Sequence, residues 1–192
     1  ESINQADEKS LNIRFGYMRF KSCEVEDASV DYSNGCNTLK RGIGFDYSGL
    51  NNLVAAETNM YWTPLASQLA EAAKYLDDHK NGILPAASRP DPARACRKKF
   101  IVMVTDGWDT LACGGKRSPD DVNGDGYRDE NDTGSFGYKR RRATVAKAYA
   151  AARAGYRVFV IGFGKDMPLT ERNTLNWAAL YGGTNNPMGT DD

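Results

Sequence analysis

The sequence predicts an α/β fold: a doubly wound, mostly parallel sheet flanked by helices on both faces. Three observations carry that expectation. Two apolar runs, Phe100-Ile-Val-Met-Val104 and Val158-Phe-Val-Ile161, are too short for helices and rich in β-branched residues, as strands buried on both faces of a parallel sheet are. Stretches of helical period alternate with them. The first run stops at Thr105-Asp106-Gly107, which sets a hydroxyl and a carboxylate at the strand's carboxyl end, the ligand-binding end of open α/β sheets.

In chain order, residues 1–10 are polar and read as a connector. Leu11–Phe20 interleaves Leu, Ile, Phe and Tyr with Asn, Arg and Gly, which predicts a strand. Residues 23–59 hold turn formers such as Asn34, Gly35, Gly42, Gly44 and Gly49, and predict an irregular loop with one edge strand. Thr63 as cap and Pro64 at the first position open a helix whose apolar face is Leu65, Leu69, Ala72, Ala73 and Leu76. Asn81-Gly82 ends it. Pro85, Pro90 and Pro92 make 83–95 a loop into the strand at 100. Residues 138–154 form an Ala-rich helix stopped by Gly155, Arg157–Phe163 a second buried strand, and Leu169–Tyr181 a last helix.

The totals narrow the function classes. A chain of 192 residues is one domain in size. Its 25 basic and 25 acidic side chains cancel, which gives no support to a nucleic-acid partner. No apolar run is long enough for a membrane span. A start at Glu1 is expected of a processed product or a fragment. Cys23, Cys36, Cys96 and Cys113 contain no CxxC pair, so disulfides are expected over zinc, with Cys23–Cys36 preferred because it closes a short loop. The only histidine, His79, lies near a helix end and reads as a favourable terminal charge rather than a catalyst. With so little for a His-assisted nucleophile to work with, the chain is expected not to be an enzyme. Lys139-Arg-Arg-Arg142 reads as a solvated helix face, with phosphate contact as the alternative, and Trp62, Trp108 and Trp177 as packing residues, with a ligand surface as the alternative, first for Trp108 next to Asp106.

The stretch from Trp108 to Gly137 has no period of either kind, and a loop of that length usually carries function or its own ligand. Within it, Asp121, Asn123, Asp125, Tyr127, Asp129 and Asp132 occupy positions 1, 3, 5, 7, 9 and 12 of a twelve-residue calcium loop, with Gly126 at the sharp turn. Five side-chain oxygens and the Tyr127 carbonyl suit a hard cation, and the carboxylates repel one another without it. Asp132 stands where a helical hand has glutamate, and no flanking helix pair is evident. The expected role of Ca2+ is to staple the insertion at about 113–137 rather than to sense calcium.

Thr105-Asp106-Gly107 after an apolar strand, together with Thr63-Pro64-Leu65 opening a helix, resembles two of the three segments of the metal-ion-dependent adhesion site of von Willebrand factor A domains. That resemblance implies Mg2+ or Mn2+ held by Thr63 and Asp106 and completed by an acidic group of a partner. It extends to the strand at 11–20, the helix at 138–154 with Gly155, Ile161-Gly-Phe-Gly164 and Gly182-Gly183-Thr184, most of the chain. The family's first segment, Asp-x-Ser-x-Ser after a central strand, is absent. Asp31-Tyr-Ser33 and Asp46-Tyr-Ser48 share its letters but follow no buried strand. The strands at 11–20 and 100–105 would flank that missing strand and be left with unpaired backbone. The resemblance therefore implies that residues 1–192 are the interior of a single domain lacking its central first strand and carboxyl-terminal elements. The rest of its own polypeptide or a companion chain would complete the sheet.

Cys96-Arg-Lys-Lys-Phe100, Thr63-Pro64-Leu65-Ala66 and the calcium-type insertion are similar to the adhesion domain of large type IV pilus tip proteins. What this implies is an exported, cell-surface adhesion or assembly module seated on minor pilins or other pilus subunits, with a host or surface ligand. The alternatives are a structural tip cap with a degenerate metal site, and a metal-dependent hydrolase.

Overall fold

The computed structural model describes residues 13–20, 37–44, 49–58, 63–83, 91–106, 136–164 and 167–184. They form β1 (Tyr17–Phe20), β2 (Asn37–Arg41), α1 (Leu50–Ala55), α2 (Leu65–Asn81), β3 (Lys99–Thr105), α3 (Phe136–Arg153), β4 (Tyr156–Gly162) and α4 (Leu169–Tyr181). The chain is thus a mixed α/β protein. Among the described residues β3 and β4 pair in parallel, Lys99 opposite Tyr156 through Thr105 opposite Gly162, with α3 as the crossover. Separately, β1 and β2 pair antiparallel, Met18 opposite Leu39 and Phe20 opposite Asn37.

The core lies between one face of β3–β4 and three helices. Leu65, Leu69, Tyr75 and Leu76 of α2, Ala148 and Ala151 of α3, and Leu175 and Ala178 of α4 close over Ile101, Met103, Tyr156 and Val158. The alanines of α3 and α4 leave little side chain between helix and sheet, so these helices approach closely. Gly182, just after α4, shows how closely: a Cβ there would sit 2.8 Å from Val158 Cβ and 2.6 Å from the Ala178 carbonyl oxygen. The β1–β2 pair joins through Met18, Phe20, Leu39 and Ile43, and the Ile43 backbone N–H donates to the Tyr75 hydroxyl at 2.7 Å.

Several expectations need correction. β3 is not buried on both faces; it alternates strictly, with Ile101 and Met103 inside while Phe100, Val102 and Val104 are 49–56% exposed. On β4, Phe159 and Ile161 extend the same bare face, next to Phe163. Among the described residues, helices cover one face of this sheet only. Thr63 does not cap α2: Pro64 is the cap residue, without a side-chain hydrogen bond, and Gln68 N–H donates to its carbonyl at 3.0 Å. A proline carbonyl accepts as well as any other, and the Leu65 N–H donates to the Thr63 carbonyl at 3.1 Å. Of the strand expected over 11–20, residues 11 and 12 lie outside the described residues, 13–16 belong to no element, and β1 covers Tyr17–Phe20. The loop expected over 23–59 contains the short helix α1 as well as the edge strand β2.

Other expectations match. Gly82 ends α2 with φ +80°, its N–H bonded to His79 O and the Ile83 N–H to Asp78 O, the paired bonds of a Schellman turn. The helix at 169–181 has the predicted bounds, and the one at 138–154 starts two residues earlier and ends one sooner. No helix among the described residues is long and apolar enough to cross a membrane.

Candidate functional site

The candidate site lies at the carboxyl end of β3, and the direction of α2 decides what else reaches it. At the opposite end of the sheet, the Tyr156 hydroxyl, at the start of β4, donates to Asp77 near the end of α2. His79, two residues on, faces Lys99 at the start of β3. Helix α2 therefore runs antiparallel to β3. Its 17 residues rise about 25 Å, and the seven of β3 span about 23 Å. The two elements match in length, so Thr63, just before α2, and Asp106, just after β3, lie at the same end of the sheet. A helix amino terminus there also presents positive backbone potential.

Thr105 is buried, and its carbonyl accepts from the Phe163 N–H at 3.0 Å, tying the loop after β4 to the end of β3. Asp106 is exposed and Thr63 half-buried. The carboxylate is therefore available to a ligand while its backbone is anchored. Gly164 has φ +130°, and a Cβ there would lie 3.5 Å from the Asp106 carbonyl oxygen. Its left-handed backbone is what lets the second loop close on the first. A hydroxyl and a carboxylate supply two of the six oxygens that Mg2+ prefers, the rest being left to water or to a partner's acid. Among the described residues no group of three or more His, Cys, Asp or Glu side chains gathers to hold a metal. The calcium-loop residues Asp121, Asn123, Asp125, Tyr127, Asp129 and Asp132 lie outside the described residues, as do Trp62, Trp108, Cys23, Cys36 and Cys113. Cys96, in the turn before β3, is an exposed free thiol.

The amino-terminal end of the sheet holds a buried polar cluster. Asp91, 1% exposed, accepts from Arg97 Nε at 2.7 Å and the Ala93 N–H at 3.0 Å, with Arg14 Nε at 3.6 Å. Burial alone would raise its pKa, but these donors and cations outweigh it and hold the carboxyl below its ordinary value. Lys99 Nζ donates to the Arg94 and Arg97 carbonyls, and burial lowers its pKa, with Lys80 adding to the effect. The Tyr156 phenol is pushed well up by burial and by Asp77.

His79 corrects the expectation of a favourable terminal charge. It is 2% exposed, neither ring nitrogen has a hydrogen-bond partner among the described residues, and burial followed by Lys99 lowers its pKa. The ring is neutral packing beside Tyr75, at 6.3 Å between centroids. Its helix-end position suggested charge, whereas tertiary burial decided against it.

Two surfaces escaped the sequence reading. One is the bare apolar face of β3–β4, hidden because both parities of the strand are apolar. The other is a groove between α3 and α4, whose arginines look like an ordinary solvated face until α4 is set beside them. In comparison with known proteins, no family model, no curated sequence and no solved structure matches this chain.

Proposed function

We propose that the chain is an adhesion and assembly module of von Willebrand factor A type, exposed at the bacterial cell surface on a type IV pilus tip. The reading is supported chiefly by one argument: an antiparallel α2 would bring Thr63, just before that helix, to the end of the sheet where the exposed Asp106 follows β3. In this reading they hold Mg2+ or Mn2+, the metal takes its remaining ligand from a partner's carboxylate, and Ca2+ staples the 121–132 segment. The doubly wound sheet is then completed against β3–β4 by other polypeptide, either more of its own chain or a companion. Minor pilins are the expected partners, and no turnover is expected.

The bare apolar face specifically supports the second reading, a structural cap. Five side chains of β3 and β4, Phe100, Val102, Val104, Phe159 and Ile161, stay 43–56% exposed, a patch of the kind that marks an interaction surface. Binding of the chain to immobilised minor pilins, with Mg2+ and with EDTA, tests the proposal. Adhesion through the metal requires Mg2+-dependent capture that Asp106→Ala abolishes. Capture that survives both EDTA and Asp106→Ala, but not Val102→Lys, would leave the structural cap. Metal-dependent phosphatase or nuclease turnover would establish the hydrolase instead.

A further inference from the structure

Helices α3 and α4 leave an open groove of about 560 Å³ between them. Arg141 and Arg142 lie on one side and Thr170 and Asn173 on the other, with Tyr149 and Tyr181 completing the lining. Helix α3 carries Arg140, Arg141, Arg142, Lys147 and Arg153 and no carboxylate, and the one acid of α4, Glu171, is only 2% exposed.

The two tyrosines of the lining are in ring contact, and Trp177, outside the lining, stacks on one of them. Tyr149 meets Tyr181 edge to face at 6.1 Å and 87°, and Trp177 stacks on Tyr181 at 5.7 Å and 24°. All three rings are 46–51% exposed, so a platform of large flat surface faces solvent beside two guanidinium groups. Guanidinium forks match carboxylate and sulfate oxygens, exposed rings match the flat apolar face of a sugar, and hydroxyl and amide groups match its hydroxyls. A groove of this volume suits a ligand of a few rings.

We propose that the α3–α4 groove binds acidic glycans, saccharide rings bearing a carboxylate or a sulfate. A docked peptide helix fits less well, since it needs a row of large apolar pockets and the groove offers Val145 and Ala146. A nucleic-acid strand needs a basic track along several successive phosphates, where the groove offers Arg141 and Arg142. The site involves neither Thr63 nor Asp106, so its binding is independent of divalent metal and of the function proposed above.

Calorimetric titration of the full chain in EDTA tests this. The probes are tetragalacturonate for carboxylate, a heparin tetrasaccharide for sulfate, neutral maltotetraose, and a ten-residue oligothymidylate. One or both acidic sugars should bind, with maltotetraose at least about tenfold weaker and the oligothymidylate weaker than the acidic sugars. The double variant Arg141→Gln/Arg142→Gln should lose about tenfold or more. Tyr181→Leu should weaken binding several-fold at unchanged charge while Tyr181→Phe retains it, each variant showing the wild-type thermal melt. Absence of binding by both acidic sugars overturns the proposal. So does a Tyr181→Leu variant that binds as the wild type, which would reduce the groove to a charge patch, and so does oligothymidylate binding as tight as that of the sugars.

Discussion

Acidification from about pH 7 to about pH 5 asks the folded chain to accept a proton on His79, and the structure gives that proton nowhere to go. The ring is buried, and both nitrogens lack partners among the described residues. The groups that face it are Lys99 from β3, Arg94 and Asp91 from the turn before β3, and Arg14 from the segment before β1, so one carboxylate opposes three cations. Burial and Lys99 hold the folded-state pKa below the ordinary value of 6.5. The unfolded chain binds the proton near pH 6.5, the folded chain only at lower pH. Between those points the unfolded state carries one more proton, so stability falls as pH falls, by at most about 1.4 kcal/mol per pH unit. With an m-value of about 2 kcal/mol/M, the urea midpoint drops by up to about 0.7 M per unit. Asp91 does not confuse the window. Its pKa is depressed, so its contribution is lost only below its ordinary value of 3.8. His79→Leu exchanges two unsatisfied nitrogens for an apolar side chain, and should be near neutral or stabilising at pH 7 and flatter below it. Urea titrations of both proteins across this range give the answer. Equal loss of midpoint in wild type and His79→Leu between about pH 6.5 and pH 5 would refute the reasoning.

Four further outcomes are expected. Asp91→Ala leaves Arg97 and Arg14 around an empty site and should cost about 3–5 kcal/mol by urea unfolding at pH 7. Leu69→Ala, at a side chain 1% exposed in the second turn of α2, should cost about 2–5 kcal/mol by the same measurement. Gly182→Ala drives a methyl against the Ala178 carbonyl and Val158, neither of which is a flexible side-chain end, and should cost about 1–3 kcal/mol. If Ca2+ is held by the 121–132 segment, a hundredfold excess over Kd adds about 2.7 kcal/mol to stability, and thermal melts should lose that increment with EGTA or with Asp125→Ala.

Much of the fold was legible because it is local. Leu65, Leu69 and Leu76 repeat at the helical period, Gly82 supplies the left-handed residue that ends the helix, and the runs at 99–105 and 156–162 leave no alternative to short strands. The strand β2, Asn-Thr-Leu-Lys-Arg, was hard to see because one apolar residue in five gives no alternation; only its pairing with β1 makes it a strand. Helix α1, six residues without a buried side chain, is too short to show a period. For the candidate site, the letters singled out Thr63 and Asp106 one by one. Their placement at one end of the sheet depends on the antiparallel run of α2, which becomes visible through Asp77 with Tyr156 and His79 with Lys99.

Residue order alone therefore settled the helices α2, α3 and α4 and the strands β3 and β4, since backbone preference and apolar period act over a few neighbours. Coverage was decided at longer range. Phe100 and Ile101 are adjacent and similarly apolar, yet one is half-exposed and the other buried, because three helices happen to pack on the same side. The same holds for charge. His79 is neutral not through anything in its own helix turn but because β3 and the turn before it close over the ring and exclude water. Burial is a property of everything brought near a side chain, and no stretch of sequence contains its own surroundings.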